Sequence, residues 1–310
     1  MTRIKKKYQG VVIPAVTPLT DKQALDEKAV GRMFDFFRRH KAMPFILGTT
    51  GEAASLPASV KQQYIQFAGR LKKAGDTLYA GISSNALPES IDMAKHCFDS
   101  GIDVVVATLP SYYALTGEQV QRYFEQLADS IPGPLMIYNI PATTHMSIPL
   151  ETIDALSHHP NIVGTKDSER SEERLKTSLR LWAQRDDFSH FLGWAAQSAN
   201  ALVNGSDGLV PSTGNFTPAL YHDLSAAAEA GDPSTVFQLQ EVSDTLGNLY
   251  QSGRTLGESL AALKAIMNKT GLCETHMMPP LSALPAAEEA KLLQAMAAID
   301  GMASRYLNNQ

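Results

Sequence analysis

Eight short runs rich in apolar, often β-branched, residues recur along the first two thirds of the chain, and each precedes a segment with helical periodicity. None of these runs alternates strictly between apolar and polar side chains, which is typical of parallel strands covered on both faces. Prolines such as Pro57, Pro88 and Pro149 indicate where the following helices begin. We therefore predict strands over residues 10–13, 45–47, 78–82, 104–108, 135–138, 162–166, 190–192 and 208–210.

Two architectures repeat such a strand–helix unit, a closed (β/α)8 barrel and a doubly wound open sheet. The open sheet is favoured by a Gly-rich turn after the first strand, whereas residues 14–18 here read Pro-Ala-Val-Thr-Pro. Eight units are what the barrel requires, in the roughly 250 residues that such barrels occupy. We therefore predict an α/β fold with a (β/α)8 TIM barrel over residues 1–228.

The strand signal disappears after about residue 218. Helical patterns continue over residues 219–230, 234–250, 256–268 and 286–306, with breaks at Gly231-Asp232-Pro233 and Pro279-Pro280. A barrel needs only one helix after its last strand. We therefore expect residues 229–310 to form a C-terminal helical extension packed against the barrel.

Composition and charge exclude several classes of protein. Hydrophobic residues make up 44% of the chain and charged residues 19%, which suits a large core rather than a disordered chain. The net charge of −5 argues against a nucleic-acid partner. No apolar stretch reaches the roughly 20 residues of a membrane helix, and Pro14 interrupts the short run after the basic start. With only two cysteines and no disulfide framework, we expect a cytoplasmic protein with no membrane partner.

Three motifs lie where predicted strands end, which is the edge that carries the active site in barrels of this kind. The second strand leads into residues 48–52, Gly-Thr-Thr-Gly-Glu, whose N–H groups and hydroxyls can hold an anion. Taken alone, this segment also fits an ordinary turn. The fifth and sixth strands end at Tyr138 and Lys166, which alone fit a packing residue and a cation that reaches solvent.

The three motifs together indicate a specific chemistry. A desolvated Lys can attack a carbonyl as the free amine, a Tyr can move protons, and the Thr-Thr-Gly loop can hold a carboxylate. These are the parts needed for Schiff-base chemistry on a 2-oxo acid. Neither a metal nor an organic cofactor is required, because the condensed Lys amine is itself the electron sink.

The motifs resemble those of the class I pyruvate-dependent aldolases, a family typified by dihydrodipicolinate synthase and N-acetylneuraminate lyase. The matching segments are 48–52, 138–141 (Tyr-Asn-Ile-Pro) and 164–167 (Gly-Thr-Lys-Asp), and the resemblance covers essentially the whole chain. It implies that Lys166 forms a Schiff base with pyruvate or a substrate that yields pyruvate, and that Tyr138 shuttles protons. It also implies that the Thr49-Thr50-Gly51 loop positions the carboxylate, with Thr49 contacting Tyr138.

The family resemblance further implies a second tyrosine, which completes a Thr–Tyr–Tyr relay across a subunit contact. Gapless spacing to Tyr138 assigns this role to Tyr112, with Tyr113 as the second choice. The preceding Ser111 departs from the two adjacent tyrosines that the family commonly has. A homotetramer built as a dimer of dimers is implied in the same way.

Two departures from the family bear on the substrate. The synthase has an Arg five residues after the shuttle Tyr, where this chain has Thr143. Thr supplies no cation for the carboxylate of the synthase's aldehyde substrate. The sialic acid lyase has an Asp-Glu pair after the Gly-aromatic at the seventh strand, whereas here Gly193-Trp194 precedes Ala195-Ala196. Both substrates are therefore disfavoured.

The segment after the eighth strand resembles the aldolases that act on 2-keto-3-deoxy sugar acids. It contains Ser212, which either bonds a substrate hydroxyl or caps its loop. Trp194 and Phe45 can instead form an apolar wall, which would suit a more apolar substrate. We predict a lyase that reversibly cleaves such a 2-oxo acid to pyruvate and an aldehyde. The alternatives are dihydrodipicolinate synthase activity, a sugar-acid dehydratase using the same imine, and a non-catalytic sensor of 2-oxo acids.

Other polar features carry simpler interpretations. His158 and His159 lack a third ligand at suitable spacing, so we expect no metal site there. Cys97 falls on an apolar helix face and is expected to be buried. Residues 172–174, Glu-Glu-Arg, read as a solvated helix start.

Overall fold

The strands form a closed parallel barrel in which each pairs with the next along the chain and the eighth pairs with the first. The computed structural model describes residues 4–308, so the outermost residues of both predicted units lie outside it. The predicted (β/α)8 fold is confirmed, with strand ends within one or two residues of those expected. The strands are β1 Gly10–Pro14, β2 Met43–Ile46, β3 Tyr79–Gly81, β4 Val104–Ala107, β5 Leu135–Asn139, β6 Ile162–Asp167, β7 Ser189–Leu192 and β8 Gly208–Leu209.

Helices surround the barrel, and several begin at residues whose side chains accept a hydrogen bond from the first helical turn. Thr116 and Thr255 form full capping boxes with Gln119 and Glu258. None of the described helices is long and apolar enough to cross a membrane. The helices are α1 Glu27–Arg39, α2 Ala58–Leu71, α3 Leu87–Asp99, α4 Gly117–Ser130, α5 Pro141–Thr144, α6 Leu150–Leu156, α7 Glu172–Leu181, α8 Ser198–Val203, α9 Pro218–Glu229, α10 Pro233–Gln251, α11 Leu256–Lys269, α12 Ala286–Ala297 and α13 Gly301–Asn308.

Each strand buries both of its faces, in two separate apolar clusters. In β4, Val104 and Val106 belong to the cluster inside the barrel, whereas Val105 and Ala107 belong to the cluster between strands and helices. Successive side chains of a strand point to opposite faces, so this division follows the chain residue by residue. It explains why the strands read as continuous apolar runs in the sequence.

A buried ion pair closes the end of the barrel where the strands begin. The ammonium of Lys6 lies 2.8 Å from the carboxylate of Asp207, and both side chains are 4% exposed. The same ammonium donates to the carbonyls of Trp182 and Phe188. The backbone N–H of His190 donates to the Asp207 carboxylate. These hydrogen bonds satisfy both charges, which is what a buried pair requires.

The C-terminal helices pack on the barrel through one continuous apolar cluster that includes Leu246, Leu263 and Leu307. The division of the chain at residue 228 therefore remains a prediction. The single helix expected over residues 286–306 is wrong, because α12 and α13 are separate. Gly301, the first residue of α13, has φ of +61°, a left-handed conformation that does not fit the interior of one continuous right-handed helix.

Candidate active site

Lys166 lies at the carboxyl end of β6, facing the inside of the barrel, and is only 4% exposed. The register between β5 and β6 pairs it with Tyr138. Its ammonium lies 3.8 Å from the centre of the Tyr138 ring and 5.0 Å from that of Phe45. The negative faces of aromatic rings attract a cation, most strongly where water is excluded. The barrel thus holds a desolvated amine against a phenol.

The Tyr138 hydroxyl has the surroundings of a proton-transfer group. Burial acts to raise the pKa of Tyr138, but the Lys166 charge and hydrogen bonds with Thr49, Lys166 and Ser168 lower it by more. Its pKa therefore lies below the ordinary value. The Thr49 hydroxyl is 3.4 Å from the Tyr138 hydroxyl. A phenol of lowered pKa beside an amine is suited to moving protons.

The loop of residues 48–51 after β2 is held in an unusual backbone conformation. The residues on either side of it, Leu47 and Glu52, have φ of +55° and +57°. Left-handed backbone at residues other than Gly costs free energy and persists only where surrounding contacts impose it. One such contact is the Thr17 hydroxyl, which donates to the Gly51 carbonyl at 2.6 Å. Thr50 is buried and Thr49 half-buried at this edge.

Gly51 itself lies against the end of β1. A Cβ atom there would be 3.0 Å from the Ala15 carbonyl oxygen, tighter than ordinary contacts. Gly193 is packed even more closely after β7, where a Cβ would lie 2.1 Å from the Ser168 hydroxyl. Its N–H donates to the Asp167 carbonyl at 2.6 Å. Both glycines therefore allow close approach of the loops around the barrel mouth, while direct substrate contacts by Gly51 and Gly193 remain predictions.

Sequence reasoning missed a buried polar network behind Tyr138 and Lys166. The Asp167 carboxylate accepts from the Arg174 guanidinium at 2.6 Å and from the Asn139 amide at 3.1 Å. Glu169 accepts a second bond from Asn139. Burial raises the pKa of Asp167, although Arg174 and the hydrogen bonds oppose this. The expected solvated start of α7 is correct for its two Glu residues but wrong for Arg174, whose side chain is only 10% exposed.

The predicted substrate-binding residues Thr143 and Ser212 both bond to other protein groups. The Thr143 hydroxyl lies 3.4 Å from the carbonyl of Ile140, the residue that precedes the short helix α5. The Ser212 hydroxyl lies 2.7 Å from the hydroxyl of Tyr250 on α10 and makes no helix-capping bond. Ser212 is half-buried, and its substrate contact remains a prediction.

Tyr112 and Tyr113 lie on the surface of the single chain. The two residues are 77% and 73% exposed, and their rings contact each other edge to face with centroids 4.9 Å apart. The backbone N–H of Tyr112 donates to the Asn85 side chain, which fixes the start of this loop. Within one chain the structure does not bring Tyr112 to Tyr138, so its place in a relay remains a prediction.

The structure also places the predicted buried cysteine, the histidine pair and the two aromatic residues. Cys97 is fully buried, as expected. His159 pairs with Asp129, and residues 4–308 contain no group of three side chains suited to a metal ion. Phe45 lies beneath Lys166 in the apolar cluster inside the barrel, whereas Trp194 packs against the cluster between strands and helices. An apolar wall formed by both aromatic residues remains a prediction.

Comparisons with known proteins agree with this geometry. The model of the dihydrodipicolinate synthetase family matches residues 7–299. A 4-hydroxy-tetrahydrodipicolinate synthase from Halorhodospira halophila (strain DSM 244 / SL1) is 26% identical, with 93% of this chain and 96% of that protein aligned. The probable 2-dehydro-3-deoxy-D-pentonate aldolase YjhH of Escherichia coli K12 is 29% identical, with 92% and 95% aligned.

Solved structures show the same likeness over most of the chain. The dihydrodipicolinate synthase of Bacteroides thetaiotaomicron superposes with a TM-score of 0.89 at 28% identity, covering 96% of this chain and all of that one. YagE, a prophage protein of Escherichia coli K12 solved in complex with pyruvate, gives a TM-score of 0.88 at 25% identity, with coverage of 94% and 98%. The chain therefore belongs to the dihydrodipicolinate synthetase family, and it is a pyruvate-dependent carbon–carbon lyase of the class I aldolase type.

Proposed function

We propose that this chain reversibly cleaves a 2-keto-3-deoxy sugar acid to pyruvate and an aldehyde, with Lys166 as the Schiff-base residue. The observation that carries the proposal is the cluster of Lys166, Tyr138 and Thr49 at the carboxyl ends of β6, β5 and β2. The buried ammonium of Lys166 stands 3.8 Å from the Tyr138 ring, whose hydroxyl is within reach of Thr49. This cluster supplies a nucleophile and a proton carrier in one desolvated site.

The reaction follows from these positions. The free amine of Lys166 adds to the C2 carbonyl of the substrate. The Tyr138 hydroxyl then gives its proton to the C2 oxygen, which departs as water and leaves a protonated imine and a Tyr138 phenolate. The C3–C4 bond then breaks, and its electron pair moves through C3 and C2 to the imine nitrogen. The C4 hydroxyl gives its proton to the Tyr138 oxygen and leaves as the aldehyde. Protonation at C3 and hydrolysis by water release pyruvate and restore the amine.

The residues around the mouth favour a hydroxylated substrate over an anionic aldehyde. Thr143 stands where the synthase of this family has an Arg, and its hydroxyl bonds to the Ile140 carbonyl. It therefore offers no cation to a second carboxylate. We assign the carboxylate of the 2-oxo acid to the loop of Thr49, Thr50 and Gly51, and a substrate hydroxyl to Ser212. The likeness to YjhH, named as a probable 2-dehydro-3-deoxy-D-pentonate aldolase, agrees with this substrate class.

The synthase reaction is the second candidate, because several relatives are named 4-hydroxy-tetrahydrodipicolinate synthase. A dehydratase would use the same imine but expel a hydroxyl without cleaving the chain. A sensor would bind the 2-oxo acid without turnover. These alternatives differ in their products, so product analysis separates them.

We further propose a cytoplasmic homotetramer in which Tyr112 reaches the active site of a neighbouring copy. The exposed edge-to-face pair of Tyr112 and Tyr113 supports this assembly, since large aromatic side chains are enriched in protein interfaces. Light scattering of the purified protein measures the number of copies.

Trapping tests the function directly. The protein is incubated with pyruvate, reduced with borohydride and digested, and the modified peptide is identified by mass spectrometry. We expect the adduct on Lys166 and none in the Lys166→Ala variant, which should keep the circular dichroism spectrum of the native protein. A native protein that gives no adduct would refute the Schiff-base assignment.

The substrate is then tested with 2-dehydro-3-deoxy-D-pentonate. Release of pyruvate together with an aldehyde supports the aldolase, and a product of unchanged carbon number indicates the dehydratase. Condensation of pyruvate with aspartate semialdehyde at a higher kcat/KM would favour the synthase instead. Trapping without turnover of any of these substrates would indicate the sensor.

A further inference from the structure

A second buried ion pair lies directly behind the Thr-Thr-Gly loop. The Glu52 carboxylate, at the end of this loop, contacts the ammonium of Lys264 on α11, and the two side chains are 0% and 1% exposed. The backbone N–H of Met278 donates to the carboxylate at 2.9 Å. The Lys264 ammonium also donates to the His276 carbonyl at 2.7 Å. The C-terminal helices thus enclose a charged side chain that belongs to the barrel mouth.

Glu52 also contacts the loop residues that are proposed to bind substrate. Its backbone N–H donates to the Thr49 carbonyl at 3.1 Å. Its own backbone is left-handed, with φ of +57°, so a contact from outside the loop is needed to hold it there. The Thr49 hydroxyl in turn lies 3.4 Å from that of Tyr138. A continuous series of contacts therefore joins Lys264 to the proton carrier.

We infer that the Glu52–Lys264 pair is a positioning device, through which the C-terminal helices hold the Thr49-Thr50-Gly51 loop in the conformation that binds the pyruvate carboxylate. The inference rests on the proposed function of that loop. Neither Glu52 nor Lys264 touches the substrate. Their effect is on binding, because a loop that must be ordered at each binding event lowers affinity.

The chain offers a matched control for this idea. Lys6 and Asp207 form a similar buried pair of Lys with a carboxylate, but at the opposite end of the barrel. Glu52→Gln and Asp207→Asn each remove one buried carboxylate charge with little change in shape. Each leaves a buried Lys without its counter-ion and is expected to lower the melting temperature. Only Glu52→Gln should alter pyruvate binding.

The measurement is the yield of borohydride-trapped Lys166 adduct as a function of pyruvate concentration. We expect Glu52→Gln to raise the half-saturating concentration about tenfold, the effect of losing one hydrogen bond to a charged group. The yield at saturating pyruvate should stay the same, since Lys166 and Tyr138 are unchanged. Asp207→Asn should leave the half-saturating concentration at its native value.

The outcomes distinguish the inference from the proposed function. If the native protein gives no adduct, the proposed function fails. If it gives an adduct but Glu52→Gln leaves half-saturation unchanged, or Asp207→Asn shifts it equally, the inference alone is refuted. If Glu52→Gln does not fold, the Lys264→Arg variant tests the positioning role instead. It keeps the ion pair but moves Glu52, and an unchanged half-saturation in that variant overturns the inference.

Discussion

His190 makes the stability of this barrel depend on pH. Its ring is buried in β7, stacked on Trp182 at 6.2 Å, with Nδ1 3.2 Å from the Ser206 hydroxyl. Burial lowers the pKa of His190 to about 4, and the nearby positive charges of Lys6 and Arg174 add to this, while Asp207 opposes it. The folded protein therefore contains a neutral imidazole at pH values where the unfolded chain binds a proton.

The sign and size of the effect follow from this difference. Between about pH 6.5 and 4 the unfolded state binds more protons, so the free energy of unfolding must rise with pH through that window. The contribution of His190 is complete above the unfolded pKa of 6.5 and is lost by about pH 4. At about 1.4 kcal/mol per pKa unit, the loss is roughly 3 kcal/mol.

Replacing His190 by Asn removes the titrating ring. The variant should be less stable than the native protein near neutral pH because of lost packing, but the gap should shrink by roughly 3 kcal/mol on acidification. Urea unfolding between about pH 4 and 7 measures this gap. His158→Asn, at an exposed histidine, should follow the native protein. A gap that stays constant over the window would refute the reasoning.

Three further substitutions test the site. Tyr138→Phe should lower kcat by about 10²- to 10⁴-fold with the fold retained, and near-native turnover would exclude Tyr138 as the proton carrier. Gly193→Ala, whose Cβ would lie 2.1 Å from the Ser168 hydroxyl, should cost about 1–3 kcal/mol by thermal unfolding. Adding Ser168→Gly should recover part of that loss, and no recovery would place the strain elsewhere. Arg174→Leu leaves the Asp167 carboxylate buried without the Arg174 guanidinium. It should lower the free energy of unfolding, measured with urea, by about 3–5 kcal/mol. Adding Asp167→Asn should restore most of the loss, and additive losses would contradict a direct pairing.

The barrel could be predicted from the sequence because its strands are buried on both faces. Val104, Val105 and Val106 are all apolar, although they face alternate sides of the strand. The number of such apolar runs in the sequence therefore gives the number of strands. The closeness of Tyr138 and Lys166 was also predictable, since both end strands at the same edge of one sheet. The break before Gly301 had a signal as well, because Gly is weak inside a helix.

The buried charges could not be predicted in the same way. Arg174 looks solvated beside two Glu residues, and only the fold turns its guanidinium toward Asp167. Lys264 interrupts the apolar residues 260–267 of α11, and its partner Glu52 is more than two hundred residues away in the chain. Nothing local distinguishes such residues from surface charges. The pairing depends on which side chains the closed barrel brings together.

The register of β5 and β6 has a consequence for how this enzyme can change. Tyr138 pairs with Lys166 inside the barrel, and Asn139 pairs with Asp167 outside it. Inserting or deleting one residue after the register shift at Met136 and Gly164 would exchange the two faces, placing Asn139 or Asp167 inside the barrel and Tyr138 or Lys166 among the helices. Evolution and engineering alike must therefore keep these strand lengths fixed. New aldehyde partners have to come from the segments beyond the strand ends, where lengths can vary without moving the reactive pair.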